Sequence, residues 1–276
     1  MHGIGNDYVY FDAFDGMPEN ASEIAVRLSD RHRSVGGDGV IFVTKSEIAD
    51  GGMRMFNADG SEGKMCGNGV RCVGKFLYDV KGVKKDVITV ETLSGVKRLH
   101  VHLNRGDATS FTVEMGRAEL EPEKIPCLFD GDRVVGEKLL VADKLYFVTC
   151  VSMGNPHCVV FEDPDGLNLE EVGAKFENHP AFPERVNTEF IKVIGKNELK
   201  MRVWERGSGE TFACGTGACA AAVASVLNGF CGVNEEITVH LLGGDLKIVY
   251  DGENVTMTGA AETAFTGEVS LPEIEE

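Results

Sequence analysis

Met53-Arg54-Met55-Phe56, followed ten residues later by Cys66-Gly67-Asn68-Gly69, is a pattern that this 276-residue chain contains twice. The second copy reads Met201-Arg202-Val203-Trp204 and then Cys214-Gly215-Thr216-Gly217. Both parts recur at one offset, since 201 − 53 and 214 − 66 are each 148. Repetition at a fixed spacing is the sequence signature of a duplicated structural unit. The pattern therefore indicates a tandem duplication.

Shorter matches extend the duplication outward in both directions. At offsets of 149 to 150 the matching pairs are Gly5-Asn6 with Gly154-Asn155, Val40-Ile41-Phe42-Val43 with Phe190-Ile191-Lys192-Val193, Thr89-Val90 with Thr238-Val239, and Gly95 with Gly244. We therefore predict two domains, residues 1–118 and 119–262, with the C-terminal stretch 263–276 a candidate strand to complete the first. Residues 119–149, rich in Glu and Pro at their start, are expected to form the crossover between the copies.

Each copy combines strand patterns with one main helix. Alternating apolar residues, as at Leu99, Val101 and Leu103, are typical of strands. A helix after each Cys-Gly-x-Gly is indicated by apolar residues at helical spacing in the first copy and by Ala218 to Val226 in the second. Another helix is expected to open at Asn20, with Glu23 in capping-box spacing and Ile24 and Leu28 on one face. The prediction is an α+β fold of two similar domains, each a mainly antiparallel sheet or barrel around a central helix, with the active site in the cleft between them.

Composition narrows the class of protein. The chain is 43% hydrophobic and 26% charged, and its net charge is −17. A nucleic acid or an anionic membrane requires a basic surface, so neither is expected as a partner. The sequence has no apolar run of about 18 residues and no signal-peptide pattern at the N-terminus, which favours a cytoplasmic protein.

The eight cysteines include no Cys-x-x-Cys pair, so neither a zinc site nor a disulfide framework is expected. The chain also lacks a dinucleotide fingerprint and a phosphate-binding GxxxxGK[ST] motif. We therefore predict no cofactor and no metal.

A cysteine at the mouth of a helix lies where backbone N–H groups and the positive end of the helix dipole converge. Such N–H groups can bind a carboxylate without a basic side chain. The pKa of the thiol, ~8.5 in a free cysteine, is expected to fall there. Two such cysteines, Cys66 and Cys214, suit 1,1-proton transfer, in which one thiolate removes a proton and the other thiol supplies one to the opposite face.

Motifs that point to one protein family are spread over nearly the whole chain. They are Gly5-Asn6-Asp7, Phe56-Asn57-Ala58-Asp59-Gly60-Ser61, Met65-Cys66-Gly67-Asn68-Gly69, Ser152-Met153-Gly154-Asn155-Pro156-His157-Cys158, Arg185-Val186-Asn187, Trp204-Glu205-Arg206-Gly207-Ser208-Gly209-Glu210 and Ala213-Cys214-Gly215-Thr216-Gly217. Together they resemble the diaminopimelate epimerase family. The resemblance implies interconversion of LL- and meso-2,6-diaminopimelate without pyridoxal phosphate, in lysine and peptidoglycan precursor biosynthesis. It also implies a cytoplasmic homodimer.

The same resemblance assigns roles to individual residues. It implies that Cys66 and Cys214 are the proton donor and acceptor, and that His157 and Glu205 adjust their protonation. The implied carboxylate cradle is Gly67, Asn68, Gly215 and Thr216. The residues implied to bind the substrate's ends are Asn6, Asn57, Asn155, Asn187, Glu205 and Arg206.

Two positions depart from the family's pattern. Gly39 stands where many members have a glutamine, which puts that side-chain contact in question. Relatives usually carry a few residues before Met1-His2-Gly3, so part of the first strand is expected to be missing.

Several cysteines and asparagines of the chain have a simpler, structural explanation. Cysteine is among the most buried residue types, so the six cysteines other than Cys66 and Cys214 are interpreted as core residues. Asparagines mostly make turns. Asn6 and Asn155 recur at equivalent positions and therefore rank above Asn57 and Asn187 as binding residues.

Two alternative functions remain open. One is a proline or hydroxyproline racemase or epimerase, although those enzymes typically have histidine after the first Cys-Gly, where this chain has Asn68. The other is a redox or ligand-binding protein whose two cysteines form a switchable disulfide. Exchange of a substrate's α-hydrogen with solvent separates catalysis from binding.

Overall fold

Residues 1–270 are described by a computed structural model and fall into two units. Unit 1 comprises Met1–Thr112 and the segment that begins at Ala260, and unit 2 comprises Val113–Gly259. Of the predicted C-terminal strand 263–276, residues 263–270 form no strand, and 271–276 lie outside the described residues. The segment instead joins unit 1 one residue earlier, through an antiparallel bridge between His2 and Glu262.

The described residues of unit 1 form two α-helices and a series of strands. In chain order they are β1 His2–Gly3, β2 Asn6–Asp7, β3 Val9–Ala13, α1 Ala21–Ser29, β4 Gly39–Thr44, β5 Gly51–Asn57, β6 Glu62–Gly63, α2 Gly67–Asp79, β7 Val87–Thr92, β8 Gly95–Asn104 and β9 Asp107–Arg117, whose last residues belong to unit 2.

Unit 2 repeats this order of elements after an additional hairpin. A 3₁₀ turn, Pro122–Lys124, comes first, followed by β10 Glu137–Val141, β11 Lys144–Ser152, β12 Pro156–Phe161, α3 Leu169–Glu177, β13 Asn187–Gly195, β14 Glu198–Glu205, β15 Gly209–Thr211, α4 Gly215–Leu227, β16 Glu236–Leu241, β17 Gly244–Tyr250 and β18 Asn254–Ala260.

The strand pairing shows the duplication directly. In unit 1, α1 connects the parallel strands β3 and β4, and α2 connects the parallel strands β5 and β7. In unit 2, α3 and α4 make the same parallel connections between β12 and β13 and between β14 and β16. The neighbouring pairs β4–β5, β7–β8, β13–β14 and β16–β17 are antiparallel. Two similar α+β units, mainly antiparallel and each with a central helix, are confirmed.

The apolar face of each central helix is packed against the sheet. On α2, Val70, Val73 and Leu77 are fully buried, as their helical spacing predicted. On α4, Ala218 through Ala224 are fully buried, and the helix packs against β11, β13 and β17. Alanine favours the helix and lets its backbone approach the strands closely. The packing therefore holds the first turn of each helix, where the cysteines lie, at a defined place on its sheet.

Three local expectations need correction. Asn20 does precede α1, and Ile24 and Leu28 are buried, but the Asn20 side chain makes no capping hydrogen bond. Both helices of unit 1 were expected, but unit 2 has a second helix, α3, that the sequence analysis did not predict. Residues 119–149 are more than a crossover, since β10 and β11 form a hairpin whose Leu139, Tyr146 and Val148 are buried in the unit 2 core.

Candidate active site

Cys66 and Cys214 occupy the N-cap positions of α2 and α4. Both have extended backbones, with φ of −129° and −112°. Each sulfur accepts a hydrogen bond from the backbone N–H three residues on, Gly69 for Cys66 and Gly217 for Cys214, at 3.4 Å in both cases. An N-cap side chain ordinarily accepts from this amide. The two cysteines therefore have equivalent local geometry, with their sulfurs at the positive ends of two helices.

In unit 1, the Cys66 thiol is half-buried and contacts Asn6. The sulfur lies 3.3 Å from Asn6 Oδ1, which accepts from the thiol. The other end of the same amide, Nδ2, donates to Asp38 Oδ2 at 2.7 Å. The structure thus brings together two predicted site residues, 60 positions apart in the chain, and adds a carboxylate that the sequence analysis did not single out.

A buried arginine supports the first turn of α2. Arg71 is fully buried and donates to the carbonyl of Gly67 and to Asn68 Oδ1, both at 3.0 Å, and to the carbonyl of Ala260 at 3.1 Å. Asn68 is itself 1% exposed. The predicted cradle residues Gly67 and Asn68 are therefore held by a cation beneath them.

Asn57 and Gly39 lie side by side where β4 and β5 pair. The Asn57 amide donates to Ser61 Oγ at 3.0 Å, which closes the turn after β5. A Cβ atom on Gly39 would stand 2.1 Å from the carbonyl oxygen of Phe56 and 2.8 Å from the Tyr8 ring. Glycine is thus required here by the surrounding backbone, and a glutamine side chain could not be accommodated without movement of β5.

In unit 2, Cys214 is 5% exposed and lies beside hydroxyl and carboxyl groups. Its sulfur is 3.5 Å from Thr216 Oγ1, and the Glu205 carboxylate is close enough to raise the pKa of the thiol. Glu205 also accepts from the Thr211 hydroxyl. The structure therefore brings three of the predicted residues near one another: Cys214, Thr216 and Glu205.

The sequence analysis expected a lowered thiol pKa, and for Cys214 this is wrong. Burial raises the pKa of Cys214 well above its usual value, and the carboxylates of Glu205 and Glu189 raise it further. The bonds from Thr216 and Gly217 oppose this with smaller effects. Burial also raises the pKa of Glu205. The position of Cys214 at a helix terminus did not predict its pKa, because desolvation and the nearby carboxylates outweigh the effect of the helix dipole.

Beneath Cys214 lies a histidine–carboxylate pair. His157 Nδ1 and Glu189 Oε1 are 2.7 Å apart, and both side chains are fully buried. The other ring nitrogen, Nε2, lies 3.1 Å from Asn155 Oδ1. A Cβ atom on Gly217 would stand 2.6 Å from Glu189 Oε1 and 3.2 Å from the Cys214 sulfur. Glycine at this position is what allows the carboxylate to approach the first turn of α4.

Asn187 and Arg206 meet at the turn between β14 and β15. The buried Asn187 amide accepts from the backbone N–H of Arg206 at 2.8 Å and donates to the carbonyl of Pro156 at 3.0 Å. The Arg206 guanidinium donates to the carbonyl of Glu184 at 2.8 Å. Glu177 holds the same turn through the Gly207 N–H at 2.9 Å. Asn187 therefore positions the turn that carries Arg206.

Four polar residues of these sites were missed by the sequence analysis: Asp38, Arg71, Glu177 and Glu189. Arg71 and Glu189 are fully buried, and Glu177 is 6% exposed. Arg71 interrupts an apolar run between Val70 and Cys72, and Glu189 adjoins one at Phe190-Ile191, whereas Asp38 and Glu177 lie in no such run. Because a charged residue is almost never fully buried without a partner, this pattern was the available signal.

The described residues 1–270 contain no group of three or more His, Cys, Asp or Glu side chains arranged to hold a metal ion. Within the same range, no helix has the length and apolar character needed to cross a bilayer.

Solved structures identify the class of fold. The chain superimposes on a proline racemase from Agrobacterium radiobacter with a TM-score of 0.66 at 16% identity, covering 93% of this chain and 83% of that one. It superimposes on a PhzF-family phenazine biosynthesis protein from Bacillus anthracis with a TM-score of 0.62 at 17% identity, covering 91% and 89%. The fold is therefore the two-domain α+β fold that these proteins share.

Sequence comparison identifies the family. The diaminopimelate epimerase family model matches residues 1–121 and 149–264. A diaminopimelate epimerase from Acetivibrio thermocellus is 52% identical over 99% of this chain and 98% of its own length. One from Methanococcus maripaludis is 49% identical over 98% of each. The chain belongs to the diaminopimelate epimerase family, and it is an epimerase.

Proposed function

We propose that the protein interconverts LL- and meso-2,6-diaminopimelate by 1,1-proton transfer, with Cys66 and Cys214 as the two acid–base groups. The observation that carries this proposal is the duplicated N-cap cysteine, whose sulfur accepts from the third helical amide at 3.4 Å in both units. Membership of the family supports the substrate. The place of this reaction is the supply of lysine and peptidoglycan precursors.

The proposed reaction removes one proton from the α-carbon and returns one proton to its opposite face. A thiolate takes the proton from the α-carbon and becomes a thiol, and the electron pair of the C–H bond moves into the adjoining carboxylate. The opposite thiol then gives its proton to the other face of the carbon and becomes a thiolate. The products are the epimer and an enzyme with the two protonation states exchanged.

The carboxylate at the reacting carbon is proposed to lie against the first turns of the two helices. Backbone amides of Gly67 and Asn68 in α2, and of Gly215 and Thr216 in α4, point toward the N-terminal ends where an anion is favoured. Such amides stabilise the negative charge that develops as the proton leaves. Arg71 strengthens the first of these sites by holding Gly67 and Asn68 in place.

Cys214 is proposed to begin the cycle as the acid. Its raised pKa, caused by burial and by Glu205 and Glu189, keeps its proton on sulfur in the protein without substrate. Cys66, whose thiol donates to Asn6 in the structure, must then lose its proton before it can act as the base. His157 acts indirectly, because it holds Glu189 near the Cys214 sulfur.

The distal end of the substrate is proposed to bind Arg206, whose planar fork suits a carboxylate. Glu205 supplies a negative charge for an ammonium group beside the Cys214 thiol. The proposal also retains Asn6, Asn57, Asn155 and Asn187 as polar contacts, with Asn187 acting in part through the Arg206 turn. The protein is proposed to work without a cofactor, as a cytoplasmic homodimer, on a small-molecule substrate.

The decisive experiment is incubation of LL-diaminopimelate with the protein in deuterated water. We expect deuterium at one α-carbon by proton NMR and meso product by chiral chromatography. Lysine, which lacks the distal carboxylate, and trans-4-hydroxyproline serve as comparison substrates and should react very slowly. If hydroxyproline epimerised and diaminopimelate did not, the substrate assignment would be wrong. If neither exchanged its hydrogen, the catalytic proposal itself would fail.

A further inference from the structure

The Asp38 carboxylate contacts Asn6, whose side chain hydrogen-bonds Cys66, and the neighbouring residue Asp7. Asp38 Oδ2 accepts from Asn6 Nδ2 at 2.7 Å and from the backbone N–H of Asp7 at 3.1 Å. Its other oxygen accepts from Arg31 Nη2 at 3.0 Å. All three contacts are donors, which is the environment of an ionised carboxylate, a group that can only accept hydrogen bonds.

This contact decides which end of the Asn6 amide faces Cys66. Because Asp38 can only accept, the amide must turn its nitrogen toward Asp38 and its oxygen away. The oxygen is the atom that lies 3.3 Å from the Cys66 sulfur and accepts from the thiol. With the amide reversed, the sulfur would face an N–H donor, which favours the thiolate instead.

Asp38 is itself held firmly although it is only half-buried. Arg31 binds both oxygens of Asp7, at 2.6 and 3.0 Å, and also reaches Asp38. The Asp38 backbone donates to the Asp7 carbonyl at 2.7 Å and accepts from Ala58 N–H at 3.1 Å. These bonds join Asp38 to the segments that carry Asn6 and Asn57.

We propose that Asp38 is a positioning residue for Cys66, acting through the amide of Asn6. The proposal rests on the proposed function, in which Cys66 exchanges the substrate's proton. The arrangement is not shared with unit 2, where the position matching Asp38 at the offset of 148 is Val186, a buried apolar residue. There the matching asparagine, Asn155, lies against His157 instead. Asp38 is therefore a feature of the unit 1 site alone.

Other charged and titratable groups also surround Cys66 and must be kept constant in the test. On α2 these are Arg71 and Cys72, and on β3 it is Tyr10, whose hydroxyl interacts with Cys72. The N-terminal ammonium of Met1 lies near Cys72. Asp7 and Arg31 complete the set on the Asp38 side. The test therefore changes one carboxylate and compares it with its neighbour.

The test measures the pH dependence of Cys66 alkylation by iodoacetamide in Asp38→Asn. Trypsin releases Cys66 in the peptide Met65–Arg71, which holds no other cysteine, so its labelling is read by mass spectrometry. Asp38→Asn removes a negative charge and lets the Asn6 amide reverse, so we expect the alkylation midpoint to fall by about one pH unit. The matched control is Asp7→Asn, which removes a carboxylate from the same arginine but leaves the Asn6–Asp38 contact, and should shift it far less.

A double-mutant cycle with Asn6→Ala separates positioning from charge. Without the Asn6 amide, Asp38→Asn should shift the midpoint no more than Asp7→Asn does. An equal shift in both backgrounds, or no shift in either, would overturn the proposal. Asp38→Ala, which also removes the acceptor, replaces Asp38→Asn if that variant does not fold.

Activity provides a separate readout. We expect the pH profile of kcat/KM for diaminopimelate to move to lower pH in Asp38→Asn, together with the alkylation midpoint. Because alkylation is measured without substrate, a midpoint shift in a protein that cannot epimerise diaminopimelate would contradict the proposed function while supporting the positioning of Cys66. A wild-type alkylation profile in an otherwise active Asp38→Asn variant would contradict the positioning alone.

Discussion

The side chains around Cys66 and Cys214 differ even though the two backbones are equivalent. Cys66 is half-buried and faces the Asn6 amide, which Asp38 orients. Cys214 is buried and faces the Glu205 carboxyl, with the His157–Glu189 pair close by. The two cysteines therefore lie in different environments, and in the proposed reaction such a difference would favour protonation of one thiol over the other.

We expect Cys66→Ala and Cys214→Ala each to abolish epimerisation, because each direction of the reaction needs both an acid and a base. Conversion of LL- to meso-diaminopimelate by chiral chromatography should fall below a hundredth of the wild-type rate. Cys231→Ala, in the loop after α4, is the matched control and should stay close to wild type. A single active-site variant with more than a tenth of kcat, a loss under ~1.4 kcal/mol, would refute the two-cysteine scheme.

Glu205→Gln tests the electrostatics of Cys214. The ionised Glu205 carboxylate raises the pKa of Cys214, so its removal should lower that pKa. Alkylation of Cys214 should then begin at lower pH than in the wild type, as followed by mass spectrometry. Glu210→Gln is the control, since Glu210 pairs with Arg202 instead. A shift to higher pH in Glu205→Gln would show that the carboxyl does not oppose ionisation of the thiol.

The first turns of α2 and α4 are the elements on which the candidate site is built. Each is fixed by its cysteine N-cap and by tight packing of the helix behind it. The residue whose amide binds the sulfur is glycine in both, but for different reasons. A Cβ atom on Gly69 would meet Ile41 Cδ1 at 2.8 Å, whereas one on Gly217 would meet Glu189 Oε1 at 2.6 Å.

Gly217→Ala and Gly69→Ala form a matched pair of substitutions. The Ile41 methyl is the end of a flexible side chain, but Glu189 is bonded to buried His157 and cannot move without breaking that pair. We expect kcat to fall at least tenfold in Gly217→Ala and clearly less in Gly69→Ala. Steady-state kinetics and thermal unfolding of both variants provide the comparison. Equal losses would mean that Glu189 has no special place beside Cys214.

At the scale of the whole molecule, a duplicated chain carries two half-sites of different polarity. Unit 1 contributes a carboxylate-oriented amide, and unit 2 contributes two carboxyl groups and a histidine. The net charge of −17 repels anions in general, so the proposed substrate would need local groups such as Arg206 and the helix termini to bind its carboxylates. The proposed chemistry requires both half-sites to act on one carbon.

Oxidation tests that requirement. Two thiols that reach opposite faces of one carbon would come within disulfide range in the absence of substrate, which needs Cα atoms within about 7 Å. All eight cysteines are free in the structure. A mild thiol oxidant should therefore link Cys66 to Cys214 and inactivate the enzyme, with substrate protecting and reductant restoring activity. If peptide mapping found a disulfide between another pair of cysteines while Cys66 and Cys214 stayed free, the two would not act on one carbon.

The duplication, the α+β fold and the cysteine-capped helices could be predicted from the sequence alone, because they depend on local and periodic patterns. The spacing of Val70, Val73 and Leu77 predicts one buried helix face without any knowledge of where that helix lies in the fold. Likewise, Cys66 and Cys214 precede Gly-x-Gly at a helix start, so their N-cap geometry follows from short-range bonding. Helix α3 could also have been predicted, since Leu169, Val172 and Phe176 have helical spacing.

The surroundings of the two thiols were decided only by the tertiary structure. Asp38 reaches Asn6 across 32 residues, and Glu189 reaches His157 across 32 residues, through the parallel pairing of β12 with β13 in the second case. The raised pKa of Cys214 and the lack of space at Gly39 arise in the same way. Helix capping depends on neighbours in the chain, whereas desolvation and charge depend on neighbours in space, which only the folded strands bring together.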